Sequence, residues 1–103
     1  MQRDYPAAFE RLITISEAEW CRALSEALGL PHERLSPDSI VVTVATADGS
    51  ERIVLRWRRV EDLKLGSMRL PRLRVAFDLT ALAPEARSEW MQRFDRDLQR
   101  GGG

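Results

Sequence analysis

Two stretches of the chain place apolar residues at helical spacing. In the first, a core-facing stripe at i, i+3, i+4, i+7 and i+8 is formed by Trp20, Ala23, Leu24, Ala27 and Leu28. Ser16 and Glu19 have the spacing of a capping box before this stripe, and Gly29 stands where a left-handed residue commonly ends a helix. The pattern predicts a helix between Ser16 and Gly29.

The second helical stripe lies near the end of the chain. Its apolar positions are Ala83, Ala86, Trp90, Met91, Phe94 and Leu98. Pro84 is suited to the first helical position, where a missing N–H costs nothing. We expect a final helix from Pro84 that the glycines at 101–103 bring to an end.

Between these helices the hydrophobic period changes from 3.6 to 2, which is typical of strands. Residues 40–45 and 52–58 flank Asp48-Gly49, a strong signal for a two-residue hairpin turn. With that turn, one face of the hairpin has apolar pairs throughout, because Val44 would lie opposite Ile53, Val42 opposite Leu55, and Ile40 opposite Trp57.

A further strand is predicted over residues 70–79, with its core side formed by Leu73, Val75, Phe77 and Leu79. Residues 59–69, which include Gly66, are predicted to be an irregular connection. Residues 9–15 allow two interpretations. They fit an edge strand with Phe9, Ile13 and Ile15 on one side, which we prefer, or residues 4–12 form a short helix with Pro6 in its first turn.

These elements predict an α+β fold in the order (β)-α-β-β-β-α. An antiparallel sheet of three or four strands would carry both helices on its apolar face. At 103 residues the chain is the size of one domain, so we expect a single domain over 1–103 with frayed termini at about 1–5 and 100–103. The core would contain Trp20, Trp57 and Trp90, acting in packing rather than chemistry.

Charge is unevenly distributed along the sequence. The whole chain is neutral, but residues 52–75 carry eight positive and two negative side chains, so the remainder carries −6. Strand alternation places the outward-facing basic residues of this segment on the side away from the helices, and these are Arg56, Arg58, Arg72 and Arg74. Val41 and Val54 share that side. These six residues are the candidate partner-binding residues, although a solvated arginine surface is the simpler alternative.

Three function classes remain open at this point. The preferred one is a small interaction domain that binds a protein partner, or forms a homodimer, through the arginine-lined sheet face. The second is nucleic-acid (RNA) binding through the same basic face. The order of elements over residues 16–100 is similar to that of double-stranded-RNA-binding domains. That family binds phosphates with a lysine-rich start of the last helix, whereas residues 84–89 here are acidic in balance, and the pI is near 6.6.

The third class is an uncharacterised enzyme subunit, but the sequence shows no catalytic constellation. His32 is the only histidine, and residues 31–38, with Glu33, Ser36 and Asp38, are interpreted as a solvated loop. No catalytic residues, metal site or cofactor are expected. Cys21 is interpreted as a small buried or half-buried hydrophobe. A single cysteine, with no signal peptide and no apolar span long enough for a membrane, predicts a cytoplasmic protein without a membrane partner.

Overall fold

The computed structural model describes residues 5–27 and 32–101, and these residues form two helices and five strands. In chain order the elements are β1 (Ala8–Ile13), α1 (Glu17–Ala27), β2 (His32–Ser36), β3 (Ser39–Thr46), β4 (Gly49–Leu65), β5 (Met68–Asp78) and α2 (Pro84–Gly101). The strands form one antiparallel sheet in the order β1-β5-β4-β3-β2. The α+β class is confirmed. The predicted number of three or four strands is wrong, and the order is β-α-β-β-β-β-α.

The first strand, β1, lies at one edge of the sheet and pairs with β5. Phe9 lies opposite Phe77, and their rings stack with centroids 4.9 Å apart. The strand interpretation of residues 9–15 is therefore correct for the part that ends at Ile13, and the short-helix alternative is wrong. Ile15 lies in the connection to α1 and packs against the core.

The opposite edge is β2, a strand in the segment that the sequence predicted to be a solvated loop. It pairs with β3, and its register shifts between Arg34 and Ser36. The Arg34 guanidinium lies 5.9 Å from the centre of the Trp57 ring, and its Nη2 donates a hydrogen bond to the Pro37 carbonyl oxygen at 2.6 Å. A short strand with polar side chains on both faces has no alternation of apolar and polar residues, so periodicity does not reveal it.

The hairpin of β3 and β4 forms as predicted, but its register differs from the predicted one by two residues. Val44 lies opposite Glu51, Val42 opposite Ile53, and Ile40 opposite Leu55. The turn consists of residues 47 and 48, and Gly49, with φ of 133°, is already the first residue of β4. The three predicted pairs are wrong. The predicted faces are right, because a shift of two residues leaves every side chain on the same side of the sheet.

The predicted irregular connection over residues 59–69 is also wrong, because β4 and β5 continue there as a hairpin. β3 begins opposite Arg56 and β1 ends opposite Leu73, so β4 and β5 project past the rest of the described sheet. Gly66, with φ of 61°, lies in the turn of this hairpin, and the register shifts between Val60 and Leu63. We call residues 59–72 the arm.

Both helices pack on one face of the sheet, as predicted. One hydrophobic cluster contains all three tryptophans, with Trp20 0%, Trp57 2% and Trp90 6% exposed. It also contains strand side chains at every predicted core position of β5, namely Leu73, Val75 and Phe77, and Leu79 just beyond that strand. The sheet therefore has one dry face under the helices and one face open to solvent, which we call the outer face.

The predicted start of α1 is confirmed, because the Ser16 hydroxyl accepts a hydrogen bond from the Glu19 backbone N–H at 3.2 Å. Leu28 and Gly29, the predicted end of this helix, lie outside the described residues. The same is true of most of the predicted frayed termini at 1–5 and 100–103, although α2 is described as far as Gly101. Neither described helix is long and apolar enough to cross a membrane.

Candidate functional site

The four candidate arginines come together on the outer face of β4 and β5. Arg58 lies directly opposite Arg74, Arg56 lies opposite Ala76, and Arg72 lies opposite Val60. Arg56 and Arg58 are exposed, whereas Arg72 and Arg74 are half-buried. The alternation that buries Ile53, Leu55 and Trp57 under the helices forces this placement, so these positions follow from strand parity.

Like charges directly opposite one another on neighbouring strands destabilise a sheet. Contacts with neighbouring groups offset the repulsion between these arginines only in part. Glu10 of β1 approaches Arg74, with Oε1 3.8 Å from Nη1, and Arg72 donates through Nε to the Glu61 carbonyl oxygen at 3.1 Å. The side chain of Arg58 forms no ion pair or hydrogen bond with any described residue. The Nε of Arg74 is buried and has no hydrogen-bond partner among the described residues.

A shallow depression of about 370 Å³ lies beside this cluster on the outer face. Small apolar side chains line it together with charged ones, and the lining includes Ala8, Glu10, Val54, Arg56, Ala76 and Asp78. Ala8 and Glu10 come from β1, which sequence reasoning did not connect to the site. The pairing of β1 with β5 brings them there, and Leu12, which is 47% exposed, lies opposite Arg74 in the next row.

One of the six candidate residues is not accessible. Val41 lies opposite Val54 on the outer face, but it is only 5% exposed. Arg52 Nη2 of β4 lies 3.9 Å from Glu33 Oε2 of β2. Because β3 lies between these two strands, the two side chains reach each other across β3. Glu33 lies directly opposite Val41. The accessible apolar part of the face is therefore formed by Val54 and Ala76, without Val41.

The arm extends the outer face with an apolar surface. Counting in steps of two from Arg72, and following the pairs across the hairpin, its outer-face residues are Val60, Leu63, Leu65, Met68 and Leu70. Leu65 and Met68, at the end of the arm, are 54% and 57% exposed. Sequence reasoning missed this surface because it treated residues 59–69 as irregular, although Leu63 and Leu65 do alternate with Lys64.

Asp78 contributes a negative charge at the edge of the depression. Its Oδ1 accepts hydrogen bonds from the Thr80 hydroxyl at 2.6 Å and from the Thr80 backbone N–H at 3.1 Å. The hydroxyl hydrogen bond lowers the pKa of Asp78 most strongly, the backbone hydrogen bond adds to it, and the positive charge of Arg56 contributes less. Asp78 thus stays ionised beside Arg56 at neutral pH.

This pKa shift predicts a pH-dependent contribution to stability. A carboxyl group with a lowered folded-state pKa stabilises the protein above its unfolded value of 3.8, and that contribution disappears as pH falls through the folded-state value. Asp78→Asn should therefore be less stable than the parent at pH 7 by a small margin that closes below about pH 4. Denaturant unfolding at a series of pH values measures the margin. Thr80→Ala should reduce the pH dependence of stability. A stability difference between Asp78→Asn and the parent that stays constant down to pH 2 would contradict this role of Asp78.

Two of the polar residues in the segment around His32, Ser36 and Asp38, take part in a turn. The Ser36 hydroxyl donates to Asp38 Oδ1 at 2.6 Å and lies 2.6 Å from the Ser39 hydroxyl, which is the hydrogen bonding of a turn. The side chain of His32 lies outside the described residues. Over 5–27 and 32–101, no three His, Cys, Asp or Glu side chains are arranged to hold a metal ion. Cys21 is half-buried, with its Sγ 3.9 Å from Arg34 Nη2.

The outer face thus combines four arginines on two neighbouring strands, a depression lined by small apolar and charged side chains beside them, and the apolar side chains of the arm beyond them. Comparison with models of known protein families finds none that matches this chain, and comparison with curated proteins finds no significantly similar sequence.

Proposed function

We propose that this protein is a small interaction domain that binds an acidic protein partner through the outer face. The observation that supports this most directly is the pairing of Arg58 with Arg74, which places two arginines opposite each other with one carboxylate, Glu10, 3.8 Å from Arg74. Such a pair is unfavourable in the free protein. Carboxylates from a partner would relieve the repulsion, and guanidinium groups bind carboxylates with two parallel hydrogen bonds.

A protein partner fits the face better than a nucleic acid does. Glu10 and Asp78 stand at the depression among the arginines, where they would repel phosphates. Val54, Ala76 and Leu12 provide apolar surface of the kind found within protein interfaces. The formal net charge of zero also lacks the overall positive charge that attracts phosphate backbones. Nucleic-acid binding is therefore the second candidate, supported only by the arginine cluster.

The domain organisation, location and form of association of the protein are also part of the proposal. We infer that residues 1–103 act as one domain, which is supported by the single hydrophobic cluster to which both helices and the central strands contribute. A cytoplasmic location is supported by the presence of one cysteine in the sequence. Homodimer formation through the outer face is the other form of association that this surface allows.

Fluorescence anisotropy with two labelled probes of equal net charge tests the proposed function. One probe is a short peptide of glutamate and leucine residues, and the other is an oligouridylate. We expect the peptide to bind more tightly than the RNA. Arg56→Glu/Arg58→Glu should weaken peptide binding by about tenfold or more, since both side chains are exposed and lie at the centre of the face.

The matched control is Arg22→Glu/Arg96→Glu, which makes the same change in net charge at exposed positions of α1 and α2. This control should retain peptide binding. Equal losses in both variants would show that only net charge matters and would remove the proposed site. Tighter binding of the oligouridylate, abolished by Arg56→Glu/Arg58→Glu, would replace the proposal with nucleic-acid binding. Concentration-dependent dimer formation that Val54→Glu disrupts would identify the partner as a second copy of the chain on this face.

A further inference from the structure

The end of the arm combines positive charge with exposed apolar side chains. Lys64 lies opposite Arg69, and in the next pair Leu65 lies opposite Met68. All four residues are exposed. Neither the Lys64 nor the Arg69 side chain forms an ion pair or a hydrogen bond with a described residue, so this second pair of like charges is not neutralised within the described part of the chain.

A groove of about 420 Å³ lies at the other end of the molecule, between the turn that joins β3 to β4 and the start of α2. Four exposed carboxylates line it: Asp48, Glu51, Glu85 and Glu89. None of these four carboxylates forms an ion pair with a described residue. They also do not belong to any group of described side chains that is arranged to hold a metal ion. Between the carboxylates the lining is small and apolar, and includes Ala47, Ala81, Ala83 and Ala86.

The two ends cannot neutralise each other within one molecule. The groove and the end of the arm lie at opposite ends of β4, a strand of 17 residues. At 3.2–3.4 Å per residue this strand is about 50 Å long, in agreement with the longest extent of the molecule, 51 Å. Exposed charges this far apart are fully screened, since the Debye length at physiological ionic strength is about 8 Å.

We propose that the end of the arm of one copy docks into the acidic groove of a second copy, so that the protein associates head to tail. Lys64 and Arg69 lie against the carboxylates of the groove. Leu65 and Met68, which lie on the other face of the arm because they alternate with Lys64 and Arg69 along the strands, pack on its alanine lining, so the groove contacts both faces of the arm. The two surfaces match in charge and in apolar character, and both belong to the same chain. This contact uses neither Arg56 nor Arg58, so it is independent of the proposed outer-face function.

The symmetry of this contact leads to a distinctive expectation. Arm and groove are different surfaces, so each added copy presents a free arm at one end and a free groove at the other. The association is therefore open, unlike the closed dimer that two identical surfaces would form. The mean mass in solution should continue to rise above twice the chain mass of 11.8 kDa as protein concentration increases.

Sedimentation velocity over a range of concentrations, at about 50 mM and about 300 mM salt, tests the proposal with charge reversals. Lys64→Glu/Arg69→Glu and Glu85→Lys/Glu89→Lys should each reduce the association constant by about tenfold or more. The chain that carries all four changes is neutral again and should associate like the parent. Leu65→Ser/Met68→Ser should weaken association without any change in charge. Arg22→Glu/Arg96→Glu, with the same net charge as the arm variant, should still associate, and circular dichroism checks that every variant is folded.

Restoration by the four changes together would support the docking of arm into groove, because net charge alone cannot explain it. A parent protein that stays monomeric at high concentration and low salt would overturn the proposal. Failure of the four-change chain to associate, or equal loss in the control variant, would do the same. Association that Arg56→Glu/Arg58→Glu abolishes and the arm variant does not would also overturn it, and would place the second copy on the outer face.

Discussion

The Phe94→Ala variant is expected to have a free energy of unfolding about 3–5 kcal/mol lower than that of the parent protein. Phe94 is 3% exposed, and its ring lies within 6.3 Å, centroid to centroid, of the rings of Trp20, Phe77 and Trp90. It therefore joins α1, the sheet and α2 in one aromatic cluster. Its removal leaves a cavity that the three rigid neighbouring rings cannot easily fill.

Urea unfolding followed by tryptophan fluorescence measures this change, because the affected rings are themselves the probe. A domain of this size has a total stability of about 5–15 kcal/mol, so the variant should lose a large fraction of it. Arg96→Ala, two positions along the same helix and exposed, is the control and should stay within about 0.5 kcal/mol of the parent. A loss below about 1 kcal/mol for Phe94→Ala would show that the cluster does not hold the two helices on the sheet.

Separation of Arg11 from Asp95 should cause the second-largest loss of stability. Arg11 of β1 donates two hydrogen bonds to Asp95 of α2, from Nη1 to Oδ1 at 2.6 Å and from Nη2 to Oδ2 at 3.0 Å. The Arg11 and Asp95 side chains are only 30% and 29% exposed. The same guanidinium lies 5.5–6.0 Å from the ring centres of Tyr5, Phe9 and Phe77. This pair links an edge strand to the second helix.

A double-mutant cycle with Arg11→Met and Asp95→Leu separates the pair from its surroundings. Each single change should cost about 2 kcal/mol, because it leaves one charged group half-buried without its partner. The double variant should lose less than the sum, with a coupling of about 1–2 kcal/mol. The exposed pair of Arg52 and Glu33, 3.9 Å apart, is the control and should show a coupling below about 0.5 kcal/mol. Additive losses at Arg11 and Asp95 would exclude a specific contribution from the pair.

The pKa of Arg11 explains why mutation is a better test of this pair than pH. The hydrogen bonds with Asp95 raise the pKa of Arg11 above its ordinary value, and its partial burial opposes this only in part. A raised pKa in a basic group stabilises the folded state at every pH below the unfolded value. That contribution is lost only above the ordinary pKa of arginine, a range too alkaline for folding measurements.

The fold class and the two faces of the sheet could be predicted from local patterns. The capping residue Ser16 and the helical stripe through Trp20 and Leu24 each report on neighbouring residues, and the structure confirms them. Strand parity placed Arg56 and Arg72 on the side away from Trp57. It did so even though the predicted hairpin register was wrong, because an error of two residues preserves parity.

The features that the prediction missed depend on contacts between distant parts of the chain. β1 completes the candidate site because it pairs with β5, about 65 residues later, and no local pattern specifies that partner. β2 contains one apolar residue, Leu35, and is held at the edge of the sheet by its pairing with β3. Val41 is 5% exposed although it lies on the outer face, where the side chains of Arg52 and Glu33 approach each other across β3.

The amino-acid sequence by itself determined which side chains share a face, because the geometry of a strand or a helix repeats every two or 3.6 residues regardless of the rest of the fold. Only the tertiary structure decided which strands are neighbours, how far β4 and β5 project beyond them, and that arm and groove lie at opposite ends. Those properties arise from the burial of one common core, which depends on all the elements together and cannot be read from any one of them.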